Sequence, residues 1–128
     1  MIRNRFGIGL GVLVAVLITG LGCGDRRRID YSVPALVKSL KHNDADMRYW
    51  AAQSLGSFGP GAEAAVPDLI EALGDEQKMV RMGAAYALGE IGDPKALPAL
   101  RTAIKDSQKE VRDAASFASK QIQTKKKR

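Results

Sequence analysis

Val80, Ala84, Ala87, Leu88 and Ile91 recur at i, i+4, i+7, i+8 and i+11. That spacing lays them along one face of an amphipathic helix over the stretch VRMGAAYALGEIGD. Gly92 is placed to stop this helix, and Asp93-Pro94 to cap and open the next. The same pattern is written three times. Arg48, Arg81 and Arg112 stand 33 and 31 residues apart, and aligning on them superposes Met47/Val80/Val111, Ala51/Ala84/Ala115 and Phe58/Ile91/Ile122. Upstream, Pro34/Pro67/Pro98, Leu36/Leu69/Leu100 and Leu40/Leu73/Ile104 also coincide. Each unit therefore opens with a first helix whose apolar residues, in the second unit, are Val66, Leu69, Ile70 and Leu73.

Two amphipathic helices repeated at this period predict an all-α chain folded as an α-solenoid, in which each pair buries its face against its neighbours. The units fall at 33–61, 62–92 and 93–122. In the first, helices are expected over 33–41 and 46–58, parted by the turn-forming Asn43, Asp44 and Asp46 and closed by Gly59-Pro60-Gly61. The third unit departs from the pattern: Arg101 stands where Val37 and Ile70 stand, and Ser119-Lys120 replace Leu-Gly. Polar substitution on a terminal unit is what an end cap requires. Trp50, aligned with Gly83 and Ala114, is expected to cover the open first end.

Composition narrows the picture only after the charges are placed. The chain has 128 residues, 45% hydrophobic but 5% aromatic, and a formal charge of +6. Arg3, Arg5, Arg26, Arg27, Arg28, Lys125, Lys126, Lys127 and Arg128 lie at the two ends; between Ile29 and Gln123 11 basic residues face 13 acidic ones. The array is slightly acidic and its basic residues share no face, so no nucleic-acid partner is expected. Residues 123–128 read as a solvated basic tail.

Residues 1–22 read as a signal peptide: a short basic start, an apolar run from Phe6 to Leu21, then Gly22-Cys23-Gly24-Asp25. Cys23 resembles the acceptor of a bacterial lipoprotein signal, which implies a diacylglycerol on its thiol and a membrane-anchored protein facing the extracytoplasmic side of the cell envelope. The other reading is a single-pass anchor helix that is never cleaved. Residues 23–32 then form the lipid-attachment segment and a basic juxtamembrane linker, where each of Arg26, Arg27 and Arg28 near an anionic surface contributes about 1 kcal/mol.

The units VPALVKSL…MRYWAAQSLGSFG, VPDLIEALGD…VRMGAAYALGEIGD and LPALRTAIKD…VRDAASFASKQI resemble HEAT repeats, of the short HEAT-like type first associated with phycobilisome lyases. The resemblance implies three HEAT-like helix pairs serving as a protein-interaction module. Lone His42 and lone Cys23, with no G-x-S-x-G, phosphate loop or dinucleotide fingerprint, lead to the expectation of no catalytic residue, no metal, no cofactor and no enzymatic activity. Contact with a protein partner is expected on the concave rows Tyr49, Met82, Asp113 and Gln53, Tyr86, Phe117, with Glu90; Tyr86 and Phe117 could equally fill gaps between units. Arg48, Arg81 and Arg112 are read as a structural ladder, with Asp44 pairing Arg48 at i, i+4 and Asp75 and Asp106 in the turns beside the other two. The expected function is thus a membrane-tethered scaffold. Its rivals are an accessory protein resembling bilin lyases, which binds or helps attach a small ligand, and a fragment that stacks with another HEAT array.

Overall fold

The structure is a computed structural model that describes residues 30–128. The signal peptide, the lipidation of Cys23 and most of the basic linker lie outside the described residues. Among the described residues six α-helices follow one another in three pairs: α1 (Val33–Ser39) with α2 (Ala45–Ser57), α3 (Val66–Ala72) with α4 (Lys78–Ile91), and α5 (Leu97–Ala103) with α6 (Lys109–Lys126). No strand occurs among the described residues, and none of their helices is long and apolar enough to cross a membrane.

The first helices are shorter than the pattern predicts. Stretches of 3-10 helix at Gly59–Ala65 and Pro94–Ala96 lead into α3 and α5, with Pro67 and Pro98 in the first α-helical turn of each. Proline has no N–H to give and its ring clashes with the carbonyl four residues back, so the α-helix begins only one residue before the proline and the turn upstream of it is 3-10. Ser32 caps α1 by accepting the Ala35 amide (3.4 Å), Asp44 caps α2 by accepting the Asp46 amide (2.8 Å), and Gly92 ends α4 in the left-handed region at φ 82°.

Two layers result. Leu36, Leu69 and Leu100 turn inward from the short first helices, and each is almost wholly buried. They meet Ala51, Leu55, Ala84, Leu88, Ala115 and Ile122 from the second helices, which are also buried. Each buried Leu or Ile contributes ~1.5–3 kcal/mol. Within the second layer α4 lies between α2 and α6, and the crossings are tight because small residues meet there. A Cβ on Gly56 would stand 3.0 Å from the Ala87 Cα, and one on Gly89 would stand 2.9 Å from the Ala118 Cα.

The two ends differ from the expected picture in one respect. Trp50 does cover the first end, where Tyr31 packs edge-on against it with ring centres 5.6 Å apart. At the other end residues 123–126 are not a free tail, because α6 continues through Lys126. Lys125 is the reason: its Nζ donates to the carbonyls of Gly89 (3.3 Å) and Glu90 (2.6 Å), near the C-terminus of α4, where a cation is favourable.

Candidate functional site

The face of the second helices turned away from the first helices carries most of the predicted row. Tyr49 lays its ring over Gly83, where a Cβ would stand 2.8 Å from the Tyr49 Cδ2, and the Gln53 amide donates to the Tyr49 hydroxyl. Between α2 and α4 this leaves a groove of about 410 Å³ lined by Gln53, Gly56, Ser57, Gly83, Tyr86 and Glu90. Tyr86 and Phe117 close the next junction edge to face, with centres 6.1 Å apart and planes at 61°. They also remain open to solvent, Tyr86 at 41% and Phe117 at 53% exposure, so the pair both bridges α4 to α6 and offers an aromatic surface.

The remaining predicted residues are less available. Met82 is half-buried against the core. Asp113 is exposed but held by Lys109 at 2.6 Å, one turn away on the same helix. Glu90 accepts from the Gln121 amide at 3.3 Å. Beyond Phe117 lies a second groove of about 410 Å³, bounded by Lys120, Gln121, Thr124, Lys125 and Arg128. These residues are absent from the predicted row, although Lys120, Gln121 and Thr124 stand at i+3, i+4 and i+7 from Phe117 and so share its side of one helix.

Two of the three arginines pair with carboxylates, and not in the expected way. Arg48 does not pair with Asp44, whose carboxylate is occupied as the cap of α2; it reaches across to Asp75 of the next unit, with Nε–Oδ2 at 2.8 Å and Nη2–Oδ1 at 3.0 Å. Arg81 repeats this with Asp106 at 2.8 and 3.2 Å. All four side chains are only 11–14% exposed. Burial pushes the Asp75 carboxyl up, but hydrogen bonds from Arg48 and the Gln77 amide outweigh it and leave the group below its ordinary value. The Arg81 guanidinium holds Asp106 low, and Asp75 raises Arg48. Arg112 has no such carboxylate among the described residues. His42 lies exposed in the first interhelix turn, its Nδ1 accepting the Asp44 amide at 3.0 Å. No three of His, Cys, Asp or Glu among the described residues come together to hold a metal ion.

Stacked helix pairs with a repeating inter-unit ion pair define an α-helical repeat array. Residues 33–120 match HEAT repeats, and the chain belongs to that family.

The curated relatives are more specific than the family. The chain is 36% identical over 82 residues to phycocyanobilin lyase subunit alpha of Thermosynechococcus vestitus, covering 54% of this chain and 30% of that protein. It is 38% identical over 68 residues to the protein of the same name from Nostoc sp., covering 48% and 25%. Among solved structures, the complex of CpcE and CpcF of phycocyanin lyase from Nostoc sp. superposes with a TM-score of 0.69 at 30% identity, over 79% of this chain and 41% of that one. Human deoxyhypusine hydroxylase in complex with glycerol gives 0.67 at 34%, over 72% and 32%. The chain thus spans between a quarter and a third of the curated relatives' length. The expectation of a chain without enzymatic activity is corrected here: the relatives it matches are lyase subunits, and residue types alone could not show this because the resemblance lies in the helical framework.

Proposed function

We propose that this chain is an accessory module of the bilin-lyase type, which binds a linear tetrapyrrole on its second-helix face and works beside a partner subunit. The observation that carries the reading is the match of the array to phycocyanobilin lyase subunits in sequence and to a phycocyanin lyase complex in structure. The local chemistry is consistent with it. Tyr86 and Phe117 present exposed ring area to a flat conjugated molecule, and Lys120 and Arg128 beside Phe117 suit the carboxylates that a bilin carries. These residues bind and orient; no bond-making step is assigned to them. The reading includes a partner subunit, because an open groove of this size cannot by itself enclose a tetrapyrrole.

Mixing the full chain with phycocyanobilin and passing it through a sizing column tests this. Visible absorbance should travel with the protein and should fall sharply when Tyr86 and Phe117 are both replaced by Ala. Pigment that elutes free from a folded chain, in the presence of a lyase partner subunit as well as alone, would refute it. We infer in addition that the module is tethered through a lipid on Cys23, a reading supported by the apolar run ending at Gly22-Cys23. Intact mass decides it: a mature chain beginning at Cys23 with acyl mass supports the tether, and one beginning at Met1 does not.

A further inference from the structure

The ladder repeats one arrangement three times and completes it twice. In each unit the arginine Nη1 donates to the carbonyls six and five residues earlier: His42 and Asn43 for Arg48 (2.8 and 3.0 Å), Asp75 and Glu76 for Arg81 (2.7 and 3.1 Å), Asp106 and Ser107 for Arg112 (2.8 and 2.9 Å). These bonds fix the guanidinium plane, so the Nε and Nη2 edge points out of the unit in a set direction. For Arg48 and Arg81 that edge meets a carboxylate of the next unit; for Arg112 it meets none among the described residues. A half-buried guanidinium held in this way is already organised for two parallel hydrogen bonds, which a carboxylate supplies and a single acceptor does not.

Its surroundings favour an acidic visitor. From Asp93 to Arg128 ten basic residues stand against four acidic ones, whereas from Asp30 to Gly92 five stand against nine. A second copy of the chain would match that polarity of charge but not the geometry. Six residues before each arginine stand His42, Asp75 and Asp106, so the first unit offers an imidazole where the ladder needs a carboxylate. Trp50 and Tyr31 also cover the face on which a preceding helix would lie. On the Arg112 side, Lys120 stands where Gly56 and Gly89 permit close helix crossing, so a tight apolar contact is replaced by a polar one.

The geometry points to the end face around Arg112 as a docking surface for a different protein, one that places an Asp or Glu carboxylate on the Arg112 Nε/Nη2 edge and further acid near Lys120. The inference shares Lys120 with the proposed bilin surface but rests on Arg112, which that reading does not use.

Arginine Nε–H resonances of the full chain test it, with short poly-L-aspartate as the probe. The Arg112 signal should move toward the positions of Arg48 and Arg81, which already donate to carboxylates, and Arg112→Lys should weaken binding about tenfold although the charge is kept. Lys126→Gln should change the affinity little. Binding that leaves the Arg112 signal in place and is unaffected by Arg112→Lys would assign the effect to the general basic surface and overturn the proposal. If acetate at equal carboxylate concentration moves the signal as far, the site is one for free carboxylates and not a protein-docking surface. An Arg112 signal already shifted without probe, in a chain that sediments as a dimer, would give the edge to a second copy and equally overturn it. Should Arg112→Lys melt early, the shift in the unaltered chain decides alone.

Discussion

Replacing Gly89 with Ala tests the packing on which the array depends. Its new Cβ would lie 2.9 Å from the Ala118 Cα and 3.0 Å from the Ala118 Cβ, with the Gln121 Oε1 at 2.6 Å. Gln121 can swing aside, but the Ala118 Cα is backbone. Carbons in contact sit ~3.5–4.0 Å apart, so α6 has to retreat from α4 by about 0.6–1 Å along a buried junction. Overpacking of this kind costs ~1–3 kcal/mol, and the better helix propensity of alanine offsets about 1 kcal/mol. Because the obstacle is backbone, the cost falls in the upper part of that range, leaving a net loss of about 1–2 kcal/mol. In a domain of this size that lowers Tm by about 5–15 °C. Circular dichroism melts read the change, and Gly61→Ala is the reference, since nothing lies within 4 Å of a Cβ there. The Gly61 variant should stay within about 0.5 kcal/mol of the unaltered chain. A Gly89→Ala variant that melts at or above the Gly61→Ala variant would refute the close crossing of α4 and α6.

Three further substitutions probe other parts of the framework. Asp106 is held below its ordinary value of 3.8 by Arg81, so the unfolded chain takes up the proton first as pH falls; the pair's contribution is whole above about pH 5 and is lost on acidification through the folded-state pKa. Asp106→Asn should therefore lower the urea midpoint at neutral pH and flatten its decline toward pH 3, and an acid limb as steep as before would count against the pair. Ser119 is buried with its hydroxyl unpartnered, in the position that Leu55 and Leu88 fill in the other units. Ser119→Ala should raise stability by about 1 kcal/mol in urea unfolding, and a loss would show that the hydroxyl has a partner after all. Gly92 ends α4 at φ 82°, so Gly92→Ala should cost ~1–2 kcal/mol in the same assay, and no change would mean the cap relaxes freely.

The helix pairs and their core were legible because burial in a stacked array imposes the same spacing on every unit: Leu36/Leu69/Leu100 and Ala51/Ala84/Ala115 were aligned from sequence and are buried together. What was not legible depends on how one unit sits beside the next. Asp44 is the natural local partner for Arg48 on a helix, yet the cap bond to Asp46 takes its carboxylate and the offset between units brings Asp75 to the guanidinium instead. The lysine run at the end looked like a solvated tail because like charges repel, and only the facing carbonyls of Gly89 and Glu90 explain the extra turn of α6. Of the candidate surface, Tyr86 and Phe117 were visible as a row, whereas Met82 is half-buried against the core and Asp113 is taken by Lys109. The lyase-type relatives were legible as a resemblance, but their activity was not: HEAT spacing records how helices pack, and the same spacing serves lyase subunits and a hydroxylase.

The residue at positions 56, 89 and 120 brings these strands together. A repeat that is to be followed by another must let the next helix come close, and Gly56 and Gly89 do so by having no side chain at the crossing. Lys120 withdraws that permission in the third unit, and Asp113 and Ser116 replace Tyr49/Met82 and Ala52/Ala85 on the same side of α6. Yet Arg112 keeps the inter-unit bond geometry that close stacking would otherwise have accompanied. Close apolar packing is removed at the crossing position while directional hydrogen bonding is retained, and those two changes favour different partners. A continuing helix pair needs the first, whereas an acidic surface needs only the second, which is why the α6 face around Arg112 favours the docking proposed above.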